Sequence, residues 1–440
     1  MKISTSLTEL LRDAKVDLAV ARAEKDPTVI KELIEHLENE IRSIRFNASL
    51  VLGELGKKAA DSVSQLVSRL DDDDWSICRE AARALGKIGP AAEKAIPKLS
   101  ELLTNEEESI RKASAVSLGL IGQATDVAVS SLVAALGDDS EDIRSEVVKT
   151  LGTMGPDAHK AIPNLIECLR DPSWMVRTAA AQAIEGIGTG SREAIPTLIN
   201  TLGDRDWRVR YRSIGTLVKI GEPAVPALMQ VINHNDSTVR QGVVEAFGEM
   251  QVTDPEIIAS VASLLKDKEE MVRGKAVDAL RNIGKDAIPI LVESYEKSNS
   301  EMKILIMSAI GGIGADAQIA IPKITEILKG GKPNERSEAA RALGKIGIAK
   351  EMAISALVGA LADSKSIVRR ESALSLGKLG PAASDAVPAL VKALGDKKPD
   401  VRWRASEAFG RIGVVDSNSI EVLQELLHDE HDYVSEAAQE

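Results

Sequence analysis

Residues 97–122, PKLSELLTNEEESIRKASAVSLGLIG, hold two apolar helical patterns parted by a polar turn, which predicts a helical hairpin. The closing phrase, a run of small residues followed by Leu-Gly-x-Ile-Gly, returns along the whole chain. Its first glycine position falls at Gly53, Gly86, Gly119, Gly152, Glu185, Val218, Gly248, Arg281, Gly311, Gly344, Gly377 and Gly410. The steps are 33 residues, except for two of 30, from Val218 to Gly248 and from Arg281 to Gly311. A fixed period of that size means stacked supersecondary units, each unable to bury its apolar face alone. The expected fold is therefore all-α, about twelve two-helix repeats over residues 27–440 with the last one incomplete. Residues 1–26 carry Arg12 in register but no glycine phrase, and read as a degenerate N-terminal cap.

Within a repeat, Pro97 and its equivalents Pro163, Pro196, Pro226, Pro289, Pro322 and Pro388 suit the first turn of the leading helix, where a missing N–H costs nothing. Asp or Asn recurs fourteen residues before most glycine positions (Asp72, Asp171, Asp204, Asp396), as turn and helix-start residues do. The trailing helix places Val176, Ala180, Ala183, Ile184 and Ile187 in one apolar sector. The second glycine of the phrase, from Gly56 to Gly413, sits where a left-handed cap is needed, and Gln251 is its one replacement. Arg stands six residues after the turn Asp in ten of twelve repeats, Cys78 and Lys303 filling the others. Such a column reads either as a phosphate or carboxylate clamp, or as a set of ion pairs to the turn Asp that stitches the stack. Identical copies in nearly every repeat favour the stitching.

The order Pro163–Asp171–Val176–Arg177, repeated at Pro196–Asp204–Val209–Arg210 and Pro388–Asp396–Val401–Arg402, resembles HEAT repeats. The short period and the Leu-Gly-x-Ile-Gly phrase are similar to the short HEAT-like subtype of phycobilin lyases. That resemblance covers residues 27–440 and implies a right-handed α-solenoid whose trailing helices line the concave surface. It implies no single activity, because the family spans lyase subunits, chaperones, scaffolds and a hydroxylase. Ankyrin and tetratricopeptide signatures are missing from the sequence. Between about Lys297 and Arg336 the pattern loosens: Lys297 and Gly330 replace the turn Asp, and Lys303 replaces Arg. This is the expected flexible or specialised stretch.

Bulk composition narrows function further. Apolar content of 44 % with only 2 % aromatics calls for a core of Leu, Ile, Val and Ala. A net charge of −12 argues against a general nucleic-acid or anionic-membrane binder. Cys78 and Cys168 lie far apart without a CxxC, so neither a disulfide framework nor a zinc site is indicated. The opening residues lack a signal-peptide core and no 18-residue apolar run occurs, so a soluble cytoplasmic protein with no membrane association is expected.

Catalytic motifs are not evident. The hydroxylase relatives hold two irons with His-Glu pairs on trailing helices, but the matching stretches here read Arg79-Glu80, Ser145-Glu146, Ser337-Glu338 and Arg370-Glu371. Without those imidazoles the resemblance implies no metal centre, and no cofactor is expected. His428 and His431 sit in a C-terminal turn, and the Asp71–Asp74 run lacks the alternation of an EF-hand.

A partner surface is the remaining expectation. Positions eleven, seven and three before the glycine position face away from the core sector, and all four tryptophans occupy them. Candidate protein-binding residues are Phe46, Trp75, Arg79, Arg83, Trp174, Trp207, Arg208, Tyr211, Arg212, Trp403 and Arg404. Exposed Trp, Tyr and Arg carry most binding energy at interfaces. The structural alternative is that each Trp merely covers the small residues of a neighbouring repeat. The leading expectation is thus a non-enzymatic scaffold for a protein or extended polypeptide. Its rivals are a bilin-lyase-like accessory protein, implied by the repeat subtype, and a nucleic-acid binder of the alkylation-repeat type, which could stack bases beside phosphates. Acidic residues such as Glu141, Asp142, Glu146, Glu245 and Glu249 interrupt any basic track, which favours the protein partner.

Overall fold

Each repeat is built from a leading helix of six to ten residues and a trailing helix of about fourteen, as in Ile162–Cys168 followed by Trp174–Ile187. The computed structural model describes residues 6–188, 190–413 and 417–439, and contains no strand among them. The chain divides into two units, one ending at Leu228 and the other beginning at Met229. Each is an α-solenoid stack of such hairpins. The first starts with a short hairpin, Leu7–Arg12 and Val16–Lys25, whose Ser6–Glu9 capping box closes its N-terminus. The buried Asn47 amide donates to the Leu11 carbonyl at 2.7 Å and ties that hairpin to the first repeat. The second unit ends with the hairpin Ser417–Leu426 and Asp432–Gln439.

Trailing helices pack directly on one another within each unit, and the first glycine of the phrase is the reason they can. A Cβ added to Gly86 would lie 2.6 Å from Ser117 Oγ and 2.9 Å from its Cα; one on Gly152 would lie 2.8 Å from Ala183 Cα. Where the facing small residue carries a hydroxyl, it bonds back across the seam: Ser117 donates to the Ala82 carbonyl at 2.7 Å and Ser375 to that of Ala340 at 2.8 Å.

The second glycine falls mostly into two conformations, with Gly188 (φ 69°, ψ −55°) outside both. Gly89 (φ 77°, ψ −143°) takes a conformation that L-residues avoid, and its chain enters the next leading helix through a 3₁₀ turn. Gly122 (φ 72°, ψ 14°) is left-handed helical and leads into a short loop capped by Thr125. Gln251 (φ 51°, ψ 51°) belongs to the second kind. A side chain is tolerated there because the left-handed helical region remains accessible to non-glycine residues at modest cost.

The arginine column forms ion pairs between successive repeats. Arg45, Arg111, Arg144, Arg177, Arg240, Arg336, Arg369 and Arg402 each reach the Asp 27 residues ahead, with Nε to carboxylate distances of 2.6–3.0 Å. The same guanidinium donates to a carbonyl of its own turn, as Arg177 does to Asp171 at 2.9 Å. In the Arg402–Asp429 rung the guanidinium bonds hold the Asp429 carboxyl below its ordinary range against the opposing effect of burial. The column is therefore saturated by the fold itself. Arg210 and Arg273, beside the two shortened steps, keep the bonds to their own turns, and Arg273 meets Glu301 of the next repeat at 3.5 Å in place of an Asp.

Where Lys303 and Gly330 interrupt the column, a different network takes over. Lys303 Nζ sits 4.7 Å from the Tyr295 ring centroid, Tyr295 Oη donates to Glu335 at 3.3 Å, and Ser300 Oγ donates to the same carboxylate at 3.0 Å. Tyr295 and Glu335 are buried, and burial together with the Glu335 charge pushes the phenol pKa upward. Specialised pairing thus replaces the standard rung. The nearby stretch Ser300–Gly330 has a mean hydropathy of 1.7 in its most apolar window. It is broken at Gly314 into two helices that bury Ile306, Ile310, Ile321 and Ile324.

An aromatic-free core holds for the tryptophans but not for every ring. Phe247 and Phe409 are buried at the seam position that Leu85, Leu151 and Leu376 occupy elsewhere, and Tyr295 is buried through the network above.

Candidate protein interface

Exposed aromatic side chains are unevenly distributed over the trailing helices. Trp207 and Tyr211, one turn apart on Trp207–Ile220, are 62 % and 59 % exposed, and Trp75 is 46 % exposed on Trp75–Ile88. Trp174 and Trp403 are half-buried, as is Phe46. The helix starts fix these positions: Asp206 and Asp74 accept from the backbone N–H groups of Arg208 and Ser76, so the adjacent Trp opens the first turn with its ring outside the core sector.

Arg208 joins two repeats of the first unit. Its guanidinium stacks 3.3 Å from the Trp174 ring centroid while its Nε and Nη2 bond Asp206 at 2.9 and 2.7 Å. Those bonds pull the Asp206 carboxyl down to about 2 and pair it with the Arg208 cation. The ring is consequently covered, whereas Trp207 and Tyr211 stay open. A second cluster pairs Trp75 with Arg79, 4.9 Å from the centroid, while Arg83 approaches Glu80 at 3.6 Å. The third lies in the second unit: Arg404 stacks 3.6 Å from Trp403, and Tyr433 meets that indole edge-on at 5.5 Å. The eleven candidate residues therefore form separate clusters, with Phe46 on the preceding helix Arg42–Leu55.

A cleft of about 750 Å³ lies in the first unit, and the candidate residues reach it only through Arg212. Its floor is Ala179, Ala183 and Gly186 of Trp174–Ile187, and its walls carry Lys149, Arg212 and Lys219 together with Glu185. Small residues in three consecutive turns of one trailing helix are the sequence signal that could have marked it. Lys149 pairs with Glu146 at 2.6 Å.

Other chemically suggestive groups are engaged internally. Glu338 and Glu371 are buried and bridged by Arg341 at 2.8 and 3.1 Å. Burial raises Glu338, whereas the Arg341 and Arg370 hydrogen bonds outweigh burial at Glu371 and hold it low. Burial lifts both Cys78 and Cys168 to about 11, which keeps them as inert thiols at neutral pH.

A family model of HEAT repeats matches residues 5–86, 30–119, 63–146, 118–185, 162–248, 225–311, 321–385 and 380–440. The chain belongs to the HEAT-repeat family. Among solved HEAT-type solenoids it is similar to the karyopherin Kap121p bound to the extreme C-terminus of the protein phosphatase Cdc14p. That match has a TM-score of 0.61 at 14 % identity and covers 96 % of this chain and 55 % of that one. Kap121p bound to Ste12p gives 0.62 at 14 % identity over 96 % and 54 %, and Kap121p bound to Nup53p gives 0.61 at 13 % over 96 % and 55 %. This HEAT-repeat chain spans about half the length of those structures, and the likeness is one of fold. No curated protein matches its sequence.

Proposed function

We propose that this HEAT-repeat chain is a non-enzymatic interaction scaffold that binds a protein, or an extended segment of one, on the face lined by its trailing helices. The observation that carries the reading is the exposure of Trp207 and Tyr211 on one trailing helix, in a chain with only four tryptophans and three tyrosines. Large rigid aromatics left in water are costly unless a partner covers them, and they dominate binding energy when it does. The glycine-to-alanine contacts shorten the spacing between trailing helices, which supports taking that row as the concave side. Kap121p, a solenoid of similar fold, is described bound to Ste12p and to Nup53p, so the architecture accommodates polypeptide partners. The buried thiols and the Arg-bridged Glu338 and Glu371 fit a scaffold better than a catalyst.

The test is the double variant Trp207→Ala/Tyr211→Ala against a partner recovered from the source cell and purified. Binding should weaken by about tenfold or more, with helicity and melting unchanged, because neither side chain contributes to the core. Unaltered affinity would overturn the assignment.

A further inference from the structure

The cleft between the helices Glu141–Thr153, Trp174–Ile187 and Trp207–Ile220 carries cations that the fold does not use. Arg208, Arg212, Gly215 and Lys219 follow one another at helical spacings of four, three and four, so they share a stripe of Trp207–Ile220. Arg208 at the head of the stripe is spent on Asp206 and Trp174. Arg212 and Lys219 have no ion-pair or side-chain hydrogen-bond partner among the described residues, and the buried Nε of Arg212 lacks an acceptor. A buried donor left without a partner is costly, and a guanidinium fork matches a carboxylate in bidentate geometry. Gly215 leaves room beside it, since an added Cβ there would meet nothing within 4 Å.

We propose that this cleft receives a carboxylate side chain from an extended acidic polypeptide, with Arg212 as its anchor and Lys219 as its second cation. The inference rests on the scaffold reading and names the chemistry of its partner. Charge complementarity selects the occupant: in a chain of net charge −12, this cleft offers two unpaired cations against Glu185. The choice of a carboxylate over a phosphoryl dianion follows from the helix ends. Thr153, Gly186 and Lys219 belong to the last turns of their helices, where the partially negative backbone opposes a phosphoryl dianion more strongly than the single charge of a carboxylate. Trp207 and Tyr211 lie on the adjoining stripe, placed to cover an apolar residue of the same segment.

A short fluorescein-labelled peptide rich in Glu with one central Phe, titrated by anisotropy against the full chain, tests the proposal. Binding should be lost when Glu is replaced by Gln, weaken at least about tenfold with Arg212→Gln, weaken with the exposed Lys219→Gln, and survive Lys57→Gln. Equal losses from Lys57→Gln and Arg212→Gln would show diffuse charge attraction and overturn it. A phosphoserine peptide binding more tightly than the Glu peptide would overturn the choice of carboxylate. The two readings fail separately. Partner binding that needs Trp207 and Tyr211 but ignores Arg212→Gln removes the cleft and leaves the scaffold. Arg212-dependent peptide binding, with a partner indifferent to the aromatics, does the reverse.

Discussion

Removing one member of a buried inter-repeat ion pair should cost far more than removing an exposed one, and the Arg240–Asp267 rung is the cleanest place to measure it. Both side chains are about 6 % exposed, and Nε and Nη2 of Arg240 each lie 2.7 Å from an Asp267 oxygen. Asp267 also accepts the Glu269 N–H at 2.9 Å, so Asp267→Ala removes a helix-start bond as well as the counter-charge. Arg240 keeps its carbonyl acceptors on His234 and Asn235, yet its charge stays buried and uncompensated. The expected loss is about 3–5 kcal/mol. Glu167→Ala breaks the Arg170 pair, whose members are 57 % and 70 % exposed, and should cost under about 1 kcal/mol. Replacing both rung members, Arg240→Met with Asp267→Leu, should recover most of the loss, because the penalty lies in the orphaned charge. Since repeat arrays can unfold in parts, urea titration should be joined by native-state hydrogen exchange of Ser237–Met250 and Glu270–Ile283. A loss below about 1 kcal/mol for Asp267→Ala, with unchanged exchange in those helices, would refute the stitching role.

Gly86→Ala should lower stability by about 1–3 kcal/mol in thermal or urea melts, because its Cβ would fall 2.6–2.9 Å from Ser117. Gly410→Ala, where a Cβ meets nothing within 4 Å, should instead raise it by up to about 1 kcal/mol. Acid provides an independent check on the rungs. Asp138, Asp267, Asp363, Asp396 and Asp429 are all held below the ordinary carboxylate range. At the first four, burial pushes upward and the guanidinium and backbone bonds outweigh it. A folded pKa below the unfolded one gives stability that is complete above the unfolded value, near 4, and is lost as pH falls through the folded value. Melting temperature should therefore be level above about pH 5 and drop below about pH 4; a rise on acidification would contradict this.

Much of the architecture was legible because a tandem repeat states each structural requirement many times. The period gave the hairpins, the Arg and Asp columns gave the rungs, and the second glycine gave the positive φ that Gln251 also adopts. What escaped were features that depend on two elements at once. In the sequence the first glycine marks only the register, because its contact with the small residue of the following trailing helix depends on how two helices pack. The loosened stretch was expected to be flexible or specialised, and its pairing of Tyr295, Ser300 and Glu335 joins residues up to forty apart. Phe247 and Phe409 enter the core because the seam position accepts a ring in place of Leu. On the candidate surface, the sequence marked which face the aromatics occupy. It could not show that Arg208 would cover Trp174 and leave Trp207 and Tyr211 open, since that turns on a side-chain stack between repeats.

Oxidative footprinting of the full chain, free and saturated with its purified partner, tests the scaffold reading most directly. Trp207, Tyr211 and Trp75 on the trailing helices should lose reactivity on binding, while Met352 and Val127 on leading helices, each more than half exposed, should keep theirs. Protection of Met352 and Val127, with Trp207 and Tyr211 still fully reactive, would place the partner on the other face and contradict the account.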